Sequence, residues 1–314
     1  MPLLVGVIGV GAMGENHVRN WGQIQEETGL VRLVGVYDQD QDRAGSVAVK
    51  FGTQSFPSAA ALLGEIDAVS IAVPTTLHRD FTLEALQAGA HVLVEKPIAS
   101  TIAQAEEMAA AAKAGDLVLM VGHSERFNPV VTTFKRRIDQ GELGEIVSIS
   151  AKRVGPHNLR IRDVGVIVDL GVHDIDVISF LYGSRASRVF AVSGVRLHPF
   201  EDYASISMYF PPDRGGFIDT NWLTPKKVRT LIAVGTKGVA EADYIDRTLT
   251  ILRDEESVSC RIPAGEPLRL ELASFLETVA TRQCPVDADQ GIYNLKVALA
   301  AQESARRGES VEIG

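Results

Sequence analysis

Residues 91–100, HVLVEKPIAS, run along an apolar stretch and then set an ionic pair, Glu95 and Lys96, directly against a proline. An unpaired buried ammonium is costly, so a lysine at the end of an internal strand needs a reason. Pro97 removes a backbone donor and restricts the residue before it, which fixes where the lysine stands. A surface ion pair at a strand end is the bland reading of this placement. Asp169 and His173 interrupt the apolar pattern of residues 162–183 at i, i+4 spacing. There a carboxylate can hold an imidazole in one tautomer for general acid and base work. A buried helix pair with no catalytic part fits the same spacing. Nearby Asp174 and Asp176 read as solvated or capping charges, and either could tune His173. Gly9-Val10-Gly11-Ala12-Met13-Gly14 follows the first apolar run as G-x-G-x-x-G. Its glycines serve a tight turn, close backbone approach to a pyrophosphate, and helix–strand packing. Asp38 ends the second apolar run, 24 positions after Gly14. A carboxylate there accepts from ribose hydroxyls and repels a 2′-phosphate, favouring NAD. Arg43 close by keeps NADP open, and a turn-capping aspartate in YDQDQD fits Asp38 equally well.

These residues need elements to position them. The runs at 3–10, 31–38, 67–73, 91–96 and 117–122 are short, apolar and rich in β-branched residues, which predicts buried strands. Amphipathic or alanine-rich stretches separate them, so the first half predicts a parallel sheet wound on both faces. The second half predicts strands at 145–154, 187–197, 203–210, 216–223, 229–244 and 247–252, several alternating in polarity. That suits a mainly antiparallel open sheet with one covered face. PPDRGG (211–216) predicts a hairpin turn, and helical patterns lie at 128–140, 164–182, 267–281 and 288–307. The expected division is a dinucleotide-binding domain over 1–121 and an α+β domain over 122–314.

Composition narrows the function. A net charge of −9 disfavours nucleic acid as a partner. No apolar run approaches the roughly 20 residues of a membrane span, and the start lacks the basic region and cleavage site of a signal peptide. Cys260 and Cys284 form no C-x-x-C pair, which predicts a reducing cytoplasm, no disulfide framework and no metal site.

Taken in order, the glycine fingerprint, the EKP at a strand end and the D-x-x-x-H resemble the Gfo/Idh/MocA oxidoreductases. GHSERFNP (122–129) and the closing AAQESARRGESVEI extend the resemblance over nearly the whole chain. The resemblance implies hydride transfer between NAD and a hydroxyl carbon of a sugar or cyclitol. Lys96 and His173 would be the catalytic pair, interchangeable as base, with Asp169 orienting the histidine and a cis peptide before Pro97. The implied cofactor-binding set is Gly9, Gly11, Ala12, Met13, Gly14, Asp38, Pro74, His78, Glu95 and Lys96. AKRVGPHNLRIRD (151–163) supplies Arg153, Arg160 and Arg162, and TPKKVR (224–229) adds further cations. Arginine forks suit phosphate oxygens, although basic residues at sheet edges or interfaces read nearly as well. These segments resemble the branch that oxidises UDP-N-acetylglucosamine at C3. Inositol or simple-sugar dehydrogenases, glycosidases that return NAD unchanged, and cofactor sensors are the alternatives. A homodimer or homotetramer built sheet to sheet is expected.

Overall fold

The apolar runs of the first half become parallel strands, as buried segments alternating with helices should. The computed structural model describes residues 1–157, 164–254 and 256–314. In chain order the first elements are β1 (Leu3–Ile8), α1 (Ala12–Thr28), β2 (Val31–Tyr37), α2 (Gln41–Phe51), β3 (Gln54–Ser55) and α3 (Ala59–Leu63). Then come β4 (Ala68–Ile71), α4 (His78–Gln87), β5 (His91–Glu95), α5 (Ile102–Ala114) and β6 (Leu119–Gly122). The sheet order is β3-β2-β1-β4-β5-β6, with every neighbouring pair parallel. The chain winds outward from β1, then returns to lay β4 on the other side of β1. That reversal opens a crevice at the carboxyl ends of β1 and β4, where doubly wound sheets bind ligands. Asp40, Ser58 and Thr101 cap α2, α3 and α5 through their side chains. α1 begins at Gly11 without such a cap, which leaves first-turn amides for an anion.

The second half holds α6 (Pro129–Asp139), β7 (Ile146–Pro156), one π-helical turn (Ile167–Gly171), α7 (Val172–Tyr182), β8 (Arg188–Gly194), β9 (Tyr203–Phe210), β10 (Arg214–Asn221) and β11 (Leu223–Gly235). It continues with β12 (Gly238–Asp243), β13 (Thr248–Arg253), β14 (Glu256–Arg261), α8 (Pro267–Thr281), α9 (Ala288–Arg307) and β15 (Val311–Glu312). The described residues give a nine-stranded sheet, β14-β13-β12-β11-β7-β10-β9-β8-β15. β7 and β10 pair in parallel and every other neighbouring pair is antiparallel. α6 packs on β12 and β13, and α7 on β7 and β10. The run 229–244, expected as one strand, is a hairpin of β11 and β12 turning at Thr236 and Lys237.

Two compact units result: Met1–Ser124 with Glu266–Leu295, and Glu125–Gly265 with Lys296–Gly314. The expected division at 121/122 therefore needs correction. The first break falls after Ser124, and residues 266–295 return to the first unit. The cause is the apolar face of α8, which buries Leu268, Leu272 and Phe275. α8 packs on α1, where Phe275 meets Trp21 edge-on at 6.4 Å between ring centroids. Among the described residues no helix is long and apolar enough to cross a membrane.

Candidate active site

The glycine turn shows which of its members are demanded by the fold. Gly9 has a φ of +84°, and a Cβ there would lie 2.7 Å from the Ala72 carbonyl oxygen. At Gly14 a Cβ would lie 1.8 Å from the Gly9 carbonyl oxygen, so this glycine allows α1 to close on β1. A Cβ on Gly11 would meet nothing within 4 Å. Gly11 thus keeps an open space at the uncapped start of α1, where Ala12 and the partly exposed Met13 follow. A cleft of about 250 Å³ adjoins it, lined among others by Gly9, Gly11, Asp38, Arg43, Pro74 and Phe81. The residues present therefore fit a dinucleotide, whose pyrophosphate would lie at Gly11 and whose adenosine end would lie at Asp38. Asp38 is buried, and its Oδ2 accepts the Val10 N–H at 2.8 Å. Burial pushes its carboxyl up, but Arg43 and the Asp40 and Val10 amides outweigh this and hold it below the usual range.

At the far end of β5, Glu95 is buried and Lys96 only partly so. Glu95 Oε1 lies 2.9 Å from Nε2 of His17, a fully buried residue of α1, and Oε2 accepts the backbone N–H of Lys96. Burial raises the Glu95 carboxyl, while the His17 hydrogen bond and the neighbouring Lys96 charge bring it down further than burial lifts it. Glu95 is therefore an anion that ties the lysine's backbone to α1. The sequence reading missed His17, whose partner lies 78 positions away. The Lys96–Pro97 peptide is cis. His78, buried at the start of α4, faces two carbonyls, with Nδ1 2.8 Å from Pro97 O and Nε2 3.0 Å from Val73 O. It links the loop after β4 to the loop after β5. Burial pushes the imidazole down, against the pull of the two carbonyls.

In the second unit Asp169 sits within the π-helical turn and His173 in the first turn of α7, both half-buried. Such turns recur at functional sites. Asp174 and Asp176, expected as solvated or capping charges, are instead buried ion-pair partners. Asp176 pairs with Arg126, and Asp174 takes both Nε and Nη2 of Arg153 at 2.9 and 3.0 Å. Arg153 Nη1 also reaches Glu125 at 2.9 Å, and Arg229 reaches the same oxygen at 3.2 Å. Expected at the substrate, Arg153 is only 2% exposed, its guanidinium directed at two carboxylates. That corrects its reading as a phosphate ligand. Arg160 and Arg162 lie outside the described residues. Among the described residues no cluster of His, Cys, Asp and Glu is placed to hold a metal.

Residues 3–123 match the model of the oxidoreductase family with an NAD-binding Rossmann fold, and residues 131–241 the Gfo/Idh/MocA C-terminal domain. This chain belongs to the Gfo/Idh/MocA oxidoreductase family. Its first unit is accordingly an NAD-binding domain, and the protein is an oxidoreductase. The chain is 30% identical over 306 residues to a UDP-N-acetylglucosamine 3-dehydrogenase of Acidithiobacillus ferrooxidans, covering 94% of each. The solved structure of that name from the same organism superposes with a TM-score of 0.90 at 28% identity, covering 98% of this chain and 99% of the other. A scyllo-inositol 2-dehydrogenase (NAD(+)) of Bacillus subtilis is 28% identical, covering 98% of this chain and 95% of the relative.

Proposed function

We propose that this protein is a cytoplasmic NAD-dependent dehydrogenase that oxidises a secondary hydroxyl of a nucleotide sugar, UDP-N-acetylglucosamine at C3, to the ketone. The observation that carries the substrate is the similarity to a UDP-N-acetylglucosamine 3-dehydrogenase, which extends through the second unit as well as the NAD-binding one. Arg160 and Arg162, just before the Asp169–His173 segment, are the proposed diphosphate ligands.

NAD, when bound, supplies the hydride acceptor. His173 takes the hydroxyl proton onto its imidazole, and Asp169 keeps that ring in the accepting tautomer. Lys96 offers its ammonium to the oxygen as negative charge develops there. Glu95 and His17 fix the backbone from which Lys96 extends. Orientation of this kind lowers the barrier because the reacting groups need not be assembled by diffusion.

A cyclitol reading is favoured by the similarity to scyllo-inositol 2-dehydrogenase. One panel separates the two: NADH appearance with NAD and, in turn, free sugars, inositols and UDP-sugars. UDP-N-acetylglucosamine should be oxidised with the highest kcat/KM. Faster turnover of free inositol or glucose overturns the nucleotide-sugar reading, and glycoside cleavage without net NADH identifies a hydrolase.

A further inference from the structure

Asp38 is placed to read the adenosine ribose, yet its acceptor capacity is already filled. Oδ1 takes the Asp40 N–H at 2.9 Å and Arg43 Nη2 at 2.8 Å. Oδ2 takes the Val10 N–H at 2.8 Å and Arg43 Nε at 3.2 Å. A carboxylate offers about four lone-pair sites, and four donors stand on them. Two of the donors are backbone amides held by the fold: Val10 lies in the glycine turn, and Asp40 is the N-cap of α2. The other two belong to one side chain, Arg43, which is about half exposed and lines the same cleft. A ribose diol can therefore donate to Asp38 only when Arg43 moves off it. A 2′-phosphate has no such requirement. Nη1 takes no part in the fork to Asp38, so the guanidinium can hold the carboxylate on one edge and present N–H groups to a phosphate on the other.

We propose that Arg43 is a specificity-determining residue that competes with the NAD ribose for Asp38 and serves a 2′-phosphate in place, so that the protein accepts NADP as well as NAD. The carboxylate and the arginine then oppose one another in cofactor choice. NAD binding bears the cost of displacing a charged fork, and NADP binding recovers part of the repulsion from Asp38.

Calorimetric titration of NAD and NADP into the full-length chain tests this, with Arg43→Ala and Arg43→Lys beside the wild type. The wild type should bind both with dissociation constants within about tenfold of each other. Arg43→Ala should bind NAD more tightly and NADP roughly 10- to 100-fold more weakly, the range for charge-assisted hydrogen bonds. Arg43→Lys keeps the charge without the fork, so it should retain more NADP affinity than the alanine variant. The same shifts should appear with 5′-AMP and 2′,5′-ADP, which places them at the adenosine end. Thermal melts check the fold: the variants keep the Arg43 N–H donated to the Asp40 cap of α2, and Arg43→Ala should melt somewhat below the wild type because it removes the fork on the buried Asp38. Weaker NAD binding in Arg43→Ala, or an unchanged NADP-to-NAD ratio, overturns the proposal. So does a shift absent from the 5′-AMP and 2′,5′-ADP pair.

Discussion

On β7, Lys152 and Arg153 are neighbours in sequence and face opposite ways. Lys152 stands on the open face, 3.3 Å from Asp219, while Arg153 turns inward to Asp174 and Glu125. Alternation along a strand does this to any successive pair, so a run of basic letters spanning a strand is not one basic patch. The consequence is measurable. Arg153→Ala leaves the buried Asp174 without its ion-pair partner and Glu125 with Arg229 alone, and should cost about 3–5 kcal/mol in denaturant unfolding. Arg160→Ala and Arg162→Ala should raise KM for UDP-N-acetylglucosamine roughly 10- to 100-fold each. If Arg153→Ala instead raises KM with unfolding unaffected, the buried network has been misread. The proposed catalytic pair gives a sharper contrast. Lys96→Met and His173→Ala should each lower kcat by about 10²–10⁴-fold while the NAD dissociation constant holds. Near-wild-type turnover in either variant removes that residue from the mechanism.

At the scale of elements, what the sequence showed depended on whether the signal was local. β1, β2, β4, β5 and β6 were legible because each is a compact apolar run between helices, and α8 and α9 because their periodicity is long. β14 was not legible: apart from the half-exposed Cys260 its residues are exposed, so ESVSCR carries no apolar face. The β11–β12 hairpin was read through because its two-residue turn hardly interrupts the alternation. The π-helical turn at Ile167–Gly171 leaves the same letter spacing as an α-helix. The return of α8 to α1 and the His17–Glu95 pair are contacts at long separation, and one sequence records neither. The glycine fingerprint was local and is the best tested by substitution. Gly14→Ala forces a Cβ onto a backbone carbonyl and should destabilise the protein by about 1–3 kcal/mol as well as abolish NAD binding. Gly11→Ala meets open space, so its melting temperature should stay within a degree or two of wild type on a scale of about 2–4 °C per kcal/mol. Its NAD affinity should still fall, because the added methyl enters the space the pyrophosphate needs. Unchanged NAD affinity in Gly11→Ala would place the pyrophosphate elsewhere.

The nine-stranded sheet has one face under α6 and α7 and another that carries its own apolar side chains. On that second face Phe190 pairs across to Ser207, Ser207 to Phe217, and Phe217 to Ser150. The two phenylalanines are 41% and 46% exposed, and Val147 and Val192 are 48% and 50% exposed. Serines between the aromatic rings leave a shallow trough, about 440 Å³ in volume, bounded by Phe190, Phe217, Tyr209 and Val147. Isolated exposed apolar residues are ordinary, but a contiguous patch on a sheet is a usual mark of an interface. Most homo-oligomers close by two-fold symmetry, which sets the same patch of each copy against the other. The chain is therefore expected to form a homodimer or homotetramer through this face. Light scattering of the wild type at micromolar concentration should give twice or four times the 33.8 kDa chain mass. Phe217→Asp places a charge at the middle of the patch and should release the monomer, whereas Asp219→Asn, two residues along the same strand and on the same face, should not. A monomeric wild type, or a Phe217→Asp variant that stays assembled, would rule out this face as the interface.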